Sequence, residues 1–149
     1  MPKKILVAVD LAADLAAGRP PEVAFAAELA RGLDAEVVLF HAIDYVPTLL
    51  PVELPGGYPV PQLELVRDAA TTKLAKVAAA MGTAKVTTLV EVGGAATAIV
   101  EAAKRLKVDL VVIGSHSHTA VARLVLGSVA DRVAHTASCP VTIVREVRH

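Results

Sequence analysis

Residues 5–10 read Ile5-Leu6-Val7-Ala8-Val9-Asp10. Five apolar residues run without a polar interruption and stop on an acid. A strand covered on both faces loses the in–out alternation of a half-exposed one, so this run reads as a buried strand of the kind parallel sheets use. The same pattern returns at Val37 to Ile43, ending on Asp44, and at Asp109 to Ile113, ending on Gly114. Lys85 to Val92 and Pro140 to Arg145 supply two more strand-like stretches.

Helical spacing fills the gaps between them. Pro21 suits a first helical turn. Val23, Ala26, Ala27, Leu29, Ala30 and Leu33 then fall on one face. Gln62 to Met81 places Leu63, Val66, Ala70, Leu74, Val77 and Met81 on an inner face, with Gly82 as its C-cap. Further helices are expected over about Ala95 to Leu106, after Gly93-Gly94, and over Ser128 to Thr136. Tyr45 to Pro61 contains five prolines and Gly56-Gly57, and reads as a long connector that is either a lid or a plain linker.

Strand and helix therefore alternate, β-α-β-α-β-α-β-α-β. Parallel strands need such crossovers, which are right-handed. The expected class is α/β: a three-layer, open, parallel five-stranded sheet in the order 3-2-1-4-5, with helices on both faces. The chain has 149 residues, and 1–149 reads as one domain with no internal repeat. In such sheets ligands sit beyond the carboxyl ends of the strands, where the strand order reverses. Asp10 and the residues from Gly114 onward lie there.

Composition narrows the function. Fifteen basic and fifteen acidic residues cancel, and aromatics make up 3% of the chain, which argues against a nucleic-acid binder with a basic face and stacking platforms. One cysteine excludes an internal disulfide and a Cys-rich zinc site. Mean hydropathy is +0.56, yet the longest stretch free of Asp, Glu, Lys and Arg, Leu110 to Ala122, is interrupted by Ser115, His116, Ser117 and His118. A membrane helix needs about 20 apolar residues. The run Ile5 to Val9 is too short for the apolar core of a signal peptide. The expectation is a cytoplasmic protein without a membrane partner.

Several familiar sites are missing from the sequence. No G-x-x-x-x-G-K-[ST] and no G-x-G-x-x-G follows a strand. Val92-Gly93 ends the third strand where a receiver domain would carry its phospho-accepting aspartate. Asp10-Leu11-Ala12-Ala13 is neither a flavodoxin loop nor the Ser-Gly-Gly of the ATP pyrophosphatases. Cys139, just before Pro140, reads as a small buried hydrophobe. His116 and His118 form an H-x-H pair with no third metal ligand in view, and His41 reads as a packed core or strand-end residue. No catalytic set and no protein metal site emerges. Asp10 is different, because a carboxylate at the mouth of a central strand is costly unless something uses it; structural and functional roles are both open.

The C-terminal third holds the most specific pattern. Val111-Val112-Ile113-Gly114-Ser115-His116-Ser117-His118 is followed by Gly127-Ser128-Val129-Ala130, with nine residues between Ser117 and Gly127, and later by Ser138-Cys139-Pro140-Val141-Thr142-Ile143-Val144-Arg145. A glycine ending a strand lets a ligand approach the backbone. A Gly-Ser pair opening a helix offers N–H groups without intrahelical partners, and the helix dipole favours an anion. Ser128 with Asp131 also reads as a capping-box-like start, which explains the same serine without any ligand.

This arrangement resembles the universal stress protein family, whose pattern is G-x2-G-x9-G-[ST] between a strand and a helix. Gly114, Gly127 and Ser128 match it, as do the first strand ending in Asp10 and His41-Ala42 at the end of the second. The resemblance covers essentially the whole chain. It departs at Ser117, which stands in place of the second motif glycine, and at Leu11, Ala12 and Ala13, where the family often has a serine.

The resemblance implies an ATP site in which Ala8, Val9, Asp10 and Ala42 flank the adenine. Gly114, Ser115, His116 and Ser117 would meet ribose and phosphates, and Gly127, Ser128 and Val129 would hold the phosphates, with Mg2+ riding on the phosphates. It further implies a homodimer paired through Val141, Ile143 and Arg145 of the last strand. The function expected is a stress-associated, nucleotide-dependent regulatory switch with at most slow ATP hydrolysis. The alternatives are a nucleotide-free dimeric interaction protein and an enzyme acting on another nucleotide-like ligand.

Overall fold

The computed structural model describes residues 2–11, 20–44, 62–82, 85–115 and 126–145. Nine elements follow in order: β1 (Lys4–Ala8), α1 (Pro21–Leu33), β2 (Glu36–Ile43), α2 (Gln62–Ala80), β3 (Val86–Val92), α3 (Ala95–Arg105), β4 (Leu110–Gly114), α4 (Ser128–Thr136) and β5 (Val141–Val144). The five strands form one parallel sheet in the expected order β3-β2-β1-β4-β5. β1 is central, with Ala8 level with Phe40 on one side and Ile113 on the other.

Period-two geometry sends alternate residues of each strand to opposite faces. Ile5, Val7, Val37, Leu39, Leu110 and Val112 pack with Ala26, Ala27 and Ala30 of α1 and with Ala70, Leu74 and Val77 of α2. Leu6, Phe40, Val111 and Ile113 pack on the other face with Ala98, Ile99 and Ala102 of α3 and with Ala130 and Val133 of α4. Helices thus cover both faces. Their inner residues are largely alanine, so the branched side chains of the strands fill the layer between helix and sheet.

The helix ends follow from local chemistry. Pro20 and Pro21 start α1. Asp34 ends it in the left-handed region, at φ 52°. Gly82, at φ 69°, follows the end of α2, the position in which a residue without Cβ is cheapest.

Some details differ from the sequence expectation. β1 stops at Ala8 and β5 at Val144, each one residue before the expected strand end. Val66, expected on the inner face of α2, is 45% exposed beside Leu65 at 58%. Leu63, one turn earlier, packs against the core, so the exposure at Val66 is local. The connector Tyr45 to Pro61 lies outside the described residues.

Candidate functional site

The order reversal falls between β1 and β4, whose carboxyl ends open side by side. On the β1 side, Ala8 is half-buried and Val9 is buried; Val9 N–H donates to Phe40 O at 2.8 Å. Asp10 is half-buried at the end of the strand, and its N–H donates to Glu22 Oε1 at 3.2 Å. Ala42 lies further along β2, half-buried on the α3/α4 face that Ala8 shares.

On the β4 side, Gly114 is the last strand residue, level with Val144. Ser115 links three elements through its backbone. Its N–H donates to Val144 O at 2.9 Å, and its carbonyl accepts from Gly127 N–H at 3.3 Å. The start of α4 is thereby drawn against the end of β4. Gly127 is the N-cap, with φ −58° and ψ 148°, and no side chain caps the helix. Asp131 N–H makes the first helical bond, to Gly127 O at 2.9 Å.

This settles the role of Ser128 in the helix. Ser128 is the first helical residue and not the cap, so the capping-box reading of Ser128 with Asp131 does not hold. A side chain at N1 lies past the position from which an N-cap oxygen reaches back to the N2 and N3 donors. Ser128 and Val129 are both exposed at the helix start. The N–H groups of residues 128–130 have no acceptor inside the helix. Gly127 N–H, by contrast, is already engaged by Ser115.

The structure therefore brings Ala8, Val9, Asp10, Gly114, Ser115, Gly127, Ser128 and Val129 to one end of the sheet. His116, Ser117 and His118 lie outside the described residues. Among the described residues no group of three His, Cys, Asp or Glu could hold a metal ion. No described helix is long and apolar enough to cross a membrane.

The sequence reading passed over Glu22, which is 1% exposed. The residue lies in the first turn of α1, where the helix dipole favours an acid. Its carboxylate reaches across to both strand ends: Oε1 accepts from Asp10 N–H, and Oε2 stands beside the Cα of Gly114. A signal was present. Glu22 is four residues before Ala26 and eight before Ala30, on the stripe that faces the sheet. His41 is the strand-end residue expected, half-buried, with Nδ1 3.0 Å from Val9 O.

The opposite end of the sheet is built differently. The Asp109 carboxylate accepts from Lys3 N–H at 2.9 Å and Lys4 N–H at 3.0 Å, and these bonds hold its pKa below the usual value. Cys139 is half-buried against the α3/α4 core, and burial, with the nearby Asp109 charge, raises its thiol pKa.

The family model of the universal stress protein family matches residues 1–145. A universal stress protein of Methanocaldococcus jannaschii is 37% identical over 125 residues, covering 81% of this chain and 71% of its own. Universal stress protein A homolog 2 of Coxiella burnetii is 35% identical over 144 residues, covering 96% and 94%. Among solved structures, the universal stress protein of Archaeoglobus fulgidus in complex with dAMP superposes with a TM-score of 0.63 at 25% identity, over 95% of this chain and 96% of that one. The sheet order, the glycines at the end of β4 and the start of α4, and these relatives agree: the chain belongs to the universal stress protein family.

Proposed function

We propose that the protein binds an adenine nucleotide across the carboxyl ends of β1 and β4 and acts as a cytoplasmic, stress-associated, homodimeric regulatory switch. The observation that carries this reading is the start of α4. It is a helix N-terminus without a side-chain cap, drawn by the Ser115–Gly127 hydrogen bond against the end of β4. Backbone donors and the helix dipole there favour a phosphate without any Lys or Arg, in keeping with a chain of zero formal charge. A relative of the same fold that binds dAMP supports the ligand class.

In this reading Ala8, Val9, Asp10 and Ala42 flank the base, and Gly114 to Ser117 meet the ribose and phosphates. Ser128 and Val129 donate to the phosphates, and Gly127 serves as the turn that presents them. ATP would carry Mg2+ on its phosphates, since Mg2+ keeps several waters and needs few protein ligands. Any ATP hydrolysis is slow in this reading. The open edge of β5 pairs with a second copy of the chain, because an uncovered apolar edge is an aggregation hazard.

Titration with a fluorescent ATP analogue, with and without Mg2+, and with AMP as competitor, tests this. Saturable binding well below 1 mM is expected. Absence of saturation by ATP, ADP and AMP, together with a melting temperature that none of them raises, would overturn it, since a ligand binding only the native state must stabilise it.

A further inference from the structure

β1 ends one residue before the Val9–Asp10 peptide, and beyond its last paired residue that peptide is held by two side chains. His41, from β2, lies with Nδ1 3.0 Å from Val9 O. A carbonyl oxygen only accepts, so Nδ1 carries the proton and donates. Glu22, from α1, accepts from Asp10 N–H through Oε1 at 3.2 Å. Val9 C=O and Asp10 N–H belong to one planar unit, so the two bonds grip opposite edges of a single peptide.

A rigid plane held at both edges cannot rotate about its flanking bonds without breaking one contact. The Asp10 Cα is attached to that plane, so fixing the plane fixes the point from which the Asp10 side chain extends. Asp10 sits at the mouth of the central strand, where the backbone leaves the ladder. Glu22 is 1% exposed, so its bond to Asp10 N–H is shielded from competing water.

We infer that His41 and Glu22 are a pair of positioning residues that lock the Val9–Asp10 peptide and thereby aim Asp10 at the bound ligand. The inference rests on the nucleotide reading for what Asp10 meets, and on this geometry alone for the lock itself. It assigns His41 a role through its Nδ1 proton and not through contact with the ligand.

The test uses the full chain, His41→Leu, His41→Asn, Glu22→Ala, Glu22→Gln and the double variant His41→Leu/Glu22→Ala. Asparagine places an N–H donor where the imidazole Nδ1 was, and glutamine keeps an acceptor oxygen. Three readouts are taken: the Asp10 amide resonance, the urea midpoint, and the Kd for AMP. His41→Leu and Glu22→Ala should each shift the Asp10 amide and weaken AMP binding about tenfold. The double variant should be little worse than either single, because the two contacts act on one rigid unit and their losses are coupled. His41→Asn and Glu22→Gln should recover AMP binding to within about threefold.

Fully additive losses in the double variant, or no recovery in the conservative ones, would overturn the lock. So would an Asp10 amide that stays unmoved in both single variants. If wild-type protein does not bind AMP, the nucleotide reading fails, and the lock is judged on the amide shift and urea midpoint. Coupled effects there support it and independent effects refute it. If Glu22→Ala does not fold, the His41 variants and Glu22→Gln carry the same comparison.

Discussion

A methyl group built on Gly114 would stand 3.1 Å from Glu22 Oε2 and 3.5 Å from the carboxyl carbon behind it. The glycine is required here by close approach and not by backbone conformation. The carboxylate cannot retreat easily, because its other oxygen is bound to Asp10 N–H. Gly114→Ala should therefore destabilise the fold by about 1–3 kcal/mol, the usual cost of forcing extra volume into a packed site. Glu22→Ala in the same chain opens the space, so the double variant should lose less than the two singles added together. Urea denaturation of the four proteins measures it.

The start of α4 gives a prediction with opposite signs in two assays. Ser128→Asp places a negative charge in the first turn of a helix that lacks a side-chain cap. It should raise stability by about 0.3–1 kcal/mol through the helix dipole, and it should weaken nucleotide binding more than tenfold by setting a carboxylate where a phosphate is proposed. Ser128→Ala should do neither to that extent. Calorimetric melting and AMP titration decide it.

Asp109 predicts one part of the acid response. Its backbone hydrogen bonds from Lys3 and Lys4 lower its folded pKa, so its contribution to stability is present above the unfolded carboxylate pKa of about 4 and is lost as pH falls through the lower folded value. Asp109→Asn should be less stable than wild type at neutral pH, and the gap should narrow as the pH drops toward 2. Chemical denaturation across that range is the measurement, and a gap independent of pH contradicts the assignment.

Cys139 should react slowly. Its thiol pKa is raised by burial and by the Asp109 charge, which leaves little thiolate at neutral pH. Iodoacetamide at pH 7.5 should modify the native protein more slowly than it modifies glutathione. Unfolding in urea should remove the difference.

The edge of β5 supplies a test of the proposed dimer. Pro140 O accepts from Val111 of β4 and Val144 O from Ser115 just beyond it, so by alternation the backbone groups of Val141 and Ile143 point away from the sheet. Ile143→Pro removes one outward N–H without removing a bond to β4, whereas Ile143→Ala removes the side chain alone. Light scattering should report a monomer for the first and a dimer for the second. A dimer for both places the contact elsewhere.

The layout of the sheet was legible because strands buried on both faces leave near-continuous apolar runs, as in Ile5 to Val9 and Leu110 to Ile113. The helix faces were mostly legible too, but Val66 was not. Its spacing fits the inner stripe, yet it is exposed while Leu63 and Ala70 on the same stripe pack against the core. Ser128 was ambiguous because N-cap and N1 differ by backbone dihedrals, which residue types do not encode. Glu22 was hidden for a related reason. An acid in the first turn of a helix reads as a dipole partner, and its second role depends on where the crossover sets α1 against Asp10 and Gly114.

The central place of β1 also governs the order in which the molecule can be assembled. Ile5 lies beside Val37 on one side but beside Leu110 on the other. A chain emerging from its N-terminus makes its middle strand first and must hold it half-paired until more than a hundred residues have followed. Contacts of such separation form late, since the entropy of closing the intervening loop must be overcome first. The crevice between β1 and β4 comes into being only with that last pairing. A nascent chain ending before Leu110 would have no such crevice, so the acquisition of a ligand would report that the sheet is complete.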